Sequence, residues 1–358
     1  MSRGTRAVIS YSALRHNFKR VQQLAPQSNI WAVVKADAYG HGAVQAAHTF
    51  SDADGYAVAT FDEARQLRAA GLTKPILLLE GVTCAEHLIE AAQLGCESMI
   101  HCQDQLDHLS QLTQGEQIKV WLKVDTGMHR LGFLASSLPQ IRQQIAELES
   151  VQLGGVVTHM CCADDLRRPE ITQAQLALAS QCKEQGEQAS FANSASIIKW
   201  PETHADWVRP GIMLYGASPF ADLSAQDIQL KPAMTLSAPI IALRRVSKGE
   251  SVGYGLIWTA ERDSVIATLA IGYADGYPRH APSGTPVMLN GQRVATAGRV
   301  SMDMTMIDVT DVADVAIGDM AQLWGDELPV DEVASVIGTI GYELLTRVSP
   351  RVERLYID

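Results

Sequence analysis

Over the first two thirds of the chain, short apolar runs alternate with stretches in which apolar residues recur every three or four positions. The runs are Ile30–Val34, Gly55–Ala59, Ile76–Leu79, Ser98–His101, Ile118–Val124, Gln152–Thr158, Ala189–Ala192 and Asp206–Val208. Between them lie amphipathic stretches such as Ala85–Leu94 and Leu138–Leu148, whose spacing predicts helices. Strand and helix in strict alternation imply a parallel sheet with helices outside it. Eight such units fit a closed (β/α)8 TIM-type barrel better than an open doubly wound sheet.

The pattern changes near Asp227. From Lys231 onward, short β-runs are separated by Gly, Pro and Asn turns: Ile240–Val246, Ser264–Ile271, Pro286–Leu289 and Thr305–Val309. Asn290-Gly291 reads as a hairpin turn. The expected α/β fold is therefore an N-terminal barrel over residues 1–228 and a mostly-β domain over 229–358. The first nine residues are compatible with either domain.

Composition narrows the function. With 47% hydrophobic and 19% charged residues, the chain can bury a large core without metal or disulfide staples. A net charge of −11 argues against nucleic acid as partner, yet leaves room for a local basic pocket that holds a small anion. Six cysteines form no C-x-x-C pair, which points to free thiols in a reducing, cytoplasmic setting. No stretch is long enough for a membrane span, and the apolar run near the N-terminus is too short for a signal peptide.

In a (β/α)8 barrel the chemistry sits at the C-terminal ends of the strands. There this sequence places Lys35, Lys123, His159, Asn193-Ser194 and Arg209. A lysine that ends an apolar strand must desolvate its ammonium, which favours the nucleophilic amine and condensation with an aldehyde cofactor. A rim lysine neutralised by Asp37 is an equally good reading of position alone. The run His159-Met160-Cys161-Cys162-Ala163-Asp164-Asp165 crowds metal-type ligands into one segment without distant partners, so no metal is expected.

The segment Lys35-Ala-Asp-Ala-Tyr39-Gly40-His41-Gly42 resembles the cofactor-lysine motif of alanine racemases, barrel-type pyridoxal-phosphate enzymes. The likeness continues through Leu122–Gly132, Thr158-His159, Asn193-Ser194-Ala195, Arg209-Pro210-Gly211-Ile212, Val252–Gly255, Ile271–Gly276 and Ser301–Met304. It runs in register from Tyr11 to about Asp308.

The resemblance implies interconversion of L- and D-alanine, for peptidoglycan supply or for alanine catabolism. Its cofactor would be pyridoxal 5'-phosphate, carried by Lys35. Tyr39 and Ser194, with backbone amides near Gly211 and Ile212, would hold the phosphate; a helix N-cap is the plainer role for Ser194. Arg209 would face the pyridine nitrogen; the bland alternative is a surface salt bridge. Lys35 and Tyr254 would be the two bases, with His159 and Arg209 supplying polar contacts to the tyrosine, although a tyrosine in a β-run is usually core packing. Lys123, carbamylated, would orient Arg130 toward the cofactor and the substrate carboxylate; an ordinary ion pair with Asp125 is the alternative. Met302, Asp303 and Tyr273 would complete the substrate pocket, Asp303 otherwise being an exposed acidic turn. The resemblance also implies a homodimer in which one chain's second domain caps the other's barrel.

One departure stands out. Some alanine racemases carry a tyrosine near the C-terminus just before an Arg-Val pair, where this chain reads Val348-Ser349-Pro350-Arg351-Val352. The pocket is expected to be held differently there, which keeps serine open as a substrate. Barrel-type decarboxylases are disfavoured because their glycine-rich phosphate loop is missing. Single-domain pyridoxal-phosphate carriers are disfavoured because they lack the second domain.

Overall fold

A computed structural model describes residues 3–113 and 115–358. All eight apolar runs are strands, and they close in chain order into one parallel barrel. Their bounds are Asn29–Val33, Gly55–Val58, Ile76–Leu78, Cys96–Ile100, Ile118–Lys123, Val151–Val157, Gln188–Ser190 and Trp207–Val208. The two amphipathic stretches form helices Ala85–Gln93 and Leu138–Ala146. They bury Leu88, Ala91 and Ala92 in one, and Leu138, Ile141 and Ile145 in the other. No helix among the described residues is long and apolar enough to cross a membrane.

Side chains two apart on a strand share a face, and this periodicity builds the barrel interior in layers. Trp31 precedes Val33, Trp121 precedes Lys123 and Trp207 precedes Arg209. Val33, Lys123 and Arg209 line a cavity at the C-terminal rim. One layer below, the three indoles pack together. The Trp31 ring stacks on Trp207 with centroids 4.2 Å apart and meets Trp121 edge-on at 4.7 Å. Gly55 on the neighbouring strand makes room, since a Cβ there would lie 2.7 Å from the Trp31 ring. Below the indoles the interior turns polar. Trp121 Nε1 donates to Glu97 Oε2 at 2.6 Å, and Lys119 lies 3.7 Å from the same carboxylate. The indole layer is thus the floor on which the rim chemistry stands.

The second domain is an eight-stranded sheet whose longest member, Met234–Val246, is bent by an irregularity between Ile240 and Ala242. The bend lets one strand pair with Met320–Trp324 along its first half and with Ser264–Leu269 along its second. Asn290 and Gly291 take φ of 49° and 73° and join strands Pro286–Leu289 and Gln292–Thr296, as the hairpin signal predicts. Sequence reading overlooked the strands Met320–Trp324 and Glu353–Ile357 and the helices Val330–Ile337 and Gly341–Thr346. Strand Arg6–Ser10, on the barrel side of the expected division at residue 228, pairs in this sheet between Met234–Val246 and Glu353–Ile357. Ser10 then caps helix Tyr11–Leu24 by accepting from the Ala13 N–H at 3.1 Å. The chain therefore starts in one domain and enters the barrel from it.

Trp31 is fully buried and its indole N–H meets no protein acceptor, so its contribution is packing alone. Trp31→Ala should lower stability by about 3–5 kcal/mol, read as a fall in the urea midpoint. An unchanged midpoint would show that the indole layer is not the barrel floor.

Candidate active site

Directly after the first barrel strand the backbone reverses hand. Ala36, Asp37, Ala38 and Tyr39 all have φ of 52–53°, a left-handed turn of four non-glycine residues. Each costs roughly 1–2 kcal/mol relative to a right-handed turn, so the surroundings must hold it. Glu63 Oε1 accepts from Ala36 N at 2.7 Å and Asp37 Oδ1 from Ala43 N at 2.8 Å. His41 Nδ1 faces the carbonyls of Ala38 and Tyr39 at 3.0 and 2.9 Å, so that nitrogen carries the proton. Burial holds the His41 imidazole down at about 4, and it stays neutral. From the second domain, Arg354 Nε donates to the Gly40 carbonyl at 2.8 Å. The turn directs both Lys35 and Tyr39 into the cavity. Asp37 does not pair with Lys35: among the described residues the ion pair it makes is with Arg354, at 4.0 Å.

The cavity measures about 840 Å³ and is lined by Lys35, Lys123, Arg130, His159 and Arg209, among others. Arg209 is 6% exposed and, among the described residues, makes no salt bridge. Its guanidinium donates to the Ser190 carbonyl and Oγ at 2.8 and 2.6 Å and to the Thr158 carbonyl at 2.6 Å. Burial lowers it to about 10, still high enough to keep it cationic at neutral pH. Lys123 does not pair with Asp125, whose carboxylate instead accepts from Gly127 N, His129 N and the His129 ring. Burial, with Arg209 and Arg130 nearby, pushes the Lys123 amine down to about 7. His159 is held far below the ordinary imidazole range by burial and by the same cations. Glu80, Asp125, Asp164 and Glu343 line the same cavity, but among the described residues none of them is ion-paired with these cations.

At the opposite wall, Ser194 Oγ accepts from the backbone N–H groups of Gly211 at 2.9 Å and Met213 at 3.4 Å. Ser194 is not the helix cap; Asn193 is, through Oδ1 to Ser196 N at 3.1 Å. A Cβ on Gly211 would sit 2.5 Å from Tyr39 Oη, so glycine is what lets phenol, hydroxyl and main chain converge. Ile212 also lines this wall. Tyr342 does too, a residue that sequence reading missed. Where the sequence has no tyrosine at Val348–Val352, helix Gly341–Thr346 of the second domain brings one to the cavity from a few residues upstream. Its ring centroid lies 6.1 Å from that of Tyr39. The sequence Gly341-Tyr342-Glu343-Leu344 carried no motif tying it to the site.

Tyr254, Tyr273, Met302 and Asp303 do not line this cavity within one chain. Tyr254 is not core packing; it is 71% exposed, on a short turn after Gly253. His159 and Arg209 therefore do not contact it in the same chain. Asp303 is an ion-paired carboxylate rather than a bare turn, 2.8 Å from Arg351 and 3.6 Å from Arg3. Tyr254, Leu256, Ile257, Tyr273, Met302 and Met304 form an exposed apolar set on the second domain.

Residues 9–219 match the family model described as "Alanine racemase, N-terminal domain", and residues 233–356 match that of the "Alanine racemase, C-terminal domain". The chain is 47% identical to an alanine racemase of Stutzerimonas stutzeri and 48% identical to one of Vibrio cholerae. The first alignment covers 98% of both chains, the second 98% of this chain and 97% of the relative. Its fold superposes on the crystal structure of a biosynthetic alanine racemase from Pseudomonas aeruginosa with a TM-score of 0.94, at 46% identity over 100% of both chains.

The Lys123 amine, lowered to about 7, should be trapped by a neutral acylating reagent at a rate that rises through that pH and then levels off. Surface lysines should keep gaining up to about pH 10. Removing a neighbouring cation with Arg209→Met should move the Lys123 midpoint upward. Peptide mass mapping across a pH series measures both, and a Lys123 profile like that of surface lysines would refute the crowding.

Proposed function

The chain belongs to the alanine racemase family, and from that premise we propose that it interconverts L- and D-alanine with pyridoxal 5'-phosphate held in the barrel cavity. The observation that carries this reading is one cavity lined by Lys35, Tyr39, Ser194, Gly211 and Arg209 together. The donor set fits the group. A lysine amine suits an aldehyde, and a fixed guanidinium suits a ring nitrogen. The phenol of Tyr39, the Ser194 hydroxyl and the main chain at Gly211 and Ile212 suit a phosphate. Glycine at 211 keeps open the cradle that a Cβ would fill. The cofactor supplies an electron-withdrawing ring that acidifies the substrate Cα–H.

Racemisation takes a proton from one face of Cα and returns one to the other, so two groups on opposite sides are needed. Lys35 Nζ serves one face. The other is served by the partner subunit's Tyr254, whose exposure on an apolar surface suits burial against a second copy. Tyr273, Met302 and Asp303 lie on the same domain and would reach the site from the same partner, completing the substrate pocket. Arg209 offers only donors, with no proton to lend at neutral pH, and so leaves a facing ring nitrogen unprotonated. Arg130 holds the substrate carboxylate. His159, kept neutral, extends the polar contacts of Arg209 toward the second base.

The Lys123 amine, lowered to about 7 and so partly neutral, is competent to take up carbon dioxide, forming an N–C bond and releasing one proton. The resulting carbamate turns repulsion from Arg130 and Arg209 into attraction. The likeness to a biosynthetic enzyme supports a role in D-alanine supply for peptidoglycan. Free thiols at all six cysteines suit a cytoplasmic location.

Lys35→Ala should abolish racemisation, and borohydride treatment of the native holoenzyme should leave the cofactor's mass on Lys35 in peptide maps. Finding it on another lysine would sink the assignment.

The shared site has its own test. Inactive Lys35→Ala and inactive Tyr254→Phe chains, mixed under exchange, should recover roughly a quarter of wild-type activity, because half the dimers are mixed and each has one intact site. A mixture as inactive as its parts would place both residues in one chain's site.

A further inference from the structure

Two adjacent cysteines, the first of them on the cavity wall, have no part in the reading above. Cys161 and Cys162 follow the sixth barrel strand, and their sulfurs lie 3.8 Å apart. Both thiols are free and half-buried. Cys161 lines the cavity beside Asp164. Its backbone N–H donates to Gln175 Oε1 at 2.9 Å, and the preceding carbonyl, of Met160, accepts from Asn193 Nδ2 at 3.0 Å. Gln175 is itself 2% exposed, so the segment carrying the thiols is held from behind.

A thiol pair can close on itself or on a third atom, and distance decides between them. Disulfides join residues whose Cα atoms are about 4.4–6.8 Å apart, whereas chain neighbours are about 3.8 Å apart. Closing this pair would therefore distort a peptide that Gln175 and Asn193 hold in place. A single bridging centre makes no such demand: with bonds of about 2.3 Å and angles of about 95–110°, its two sulfurs stand about 3.4–3.8 Å apart. The observed 3.8 Å lies at the upper end of that span.

The surroundings then select the kind of centre. Two thiols leave a metal ion two ligands short of a tetrahedral site, and among the described residues no group of three His, Cys, Asp or Glu is placed to hold one. Burial raises the Cys161 thiol above its ordinary range, so it keeps its proton. A neutral centre that condenses with protonated thiols meets neither obstacle. We propose that Cys161 and Cys162 form a dithiol site for small trivalent arsenicals, with arsenite in its neutral As(OH)3 form as the ligand. Two As–S bonds form and two As–O bonds break. Each thiol proton leaves with a hydroxide as water, and arsenic stays trivalent. The adduct narrows the cavity and blocks turnover; that last step, unlike adduct formation, rests on the proposed use of the cavity.

The full-length holoenzyme treated with arsenite should bind one arsenic per chain, mapped to the peptide with Cys161 and Cys162. Titratable thiols should fall by two from six. Activity should be lost and then recovered with dithiothreitol but not with a monothiol. Cys162→Ser and, separately, Cys161→Ala should each need roughly 100-fold more arsenite for the same fractional loss of their own activity, because the second attachment is gone. Arsenic on other cysteines, no arsenic bound, or unchanged sensitivity in both variants would overturn the proposal. An adduct on this pair with turnover intact would uphold the dithiol site and count against the cavity as the place of reaction.

Discussion

Positive charge crowded into one cavity is the constraint on which the rest of the site depends. Lys35, Lys123, Arg130 and Arg209 line the same space in a protein of net charge −11. Like charges in a partly dry site repel strongly, and the structure relieves this in two ways. Two groups are pushed toward their neutral forms: Lys123 is lowered to about 7, and His159 is kept neutral. Arg209, which stays cationic, is gripped by carbonyl oxygens of Ser190 and Thr158. What remains is a set of cations that, among the described residues, no lining carboxylate pairs with, suited to a ligand that brings its own negative groups.

Holding such a site open requires rigid support from below and behind. The three indoles fill the barrel interior directly under Lys123 and Arg209, so these side chains rise from a packed floor. The left-handed turn that aims Lys35 and Tyr39 is unfavourable by itself and persists because Glu63, His41 and Arg354 bind its polar groups. Arg354 belongs to the second domain, as does Tyr342 at the cavity wall. With strand Arg6–Ser10 paired in the same sheet, the two domains of one chain build the site together. The exposed apolar residues around Tyr254 lie outside that site.

Much of this was legible in the sequence. Eight apolar runs gave eight barrel strands because parallel strands buried on both faces are nearly continuous in hydrophobicity. Lys35, Lys123, His159, Ser194 and Arg209 stood out because strand ends in a barrel share one rim, so position along the chain implies proximity. Less was legible in the second domain. Met320–Trp324 and Glu353–Ile357 are only five residues long, the second of mixed polarity, and their pairing depends on partners far away in sequence. The capping role went to Asn193 rather than Ser194, a shift of one residue that only backbone angles decide.

By itself, then, the sequence determined the period and order of the elements, the barrel rim and the residue types gathered there, since these follow from local hydrophobic spacing and strand polarity. Only the tertiary structure decided that the turn after Lys35 is left-handed, because its cost is met by groups from Glu63 to Arg354. It alone brought Tyr342 to the cavity and set the Cys161 and Cys162 sulfurs 3.8 Å apart. It alone left Tyr254 outside its own chain's site, because which surface a folded domain presents depends on how distant strands pack, not on the residues beside it.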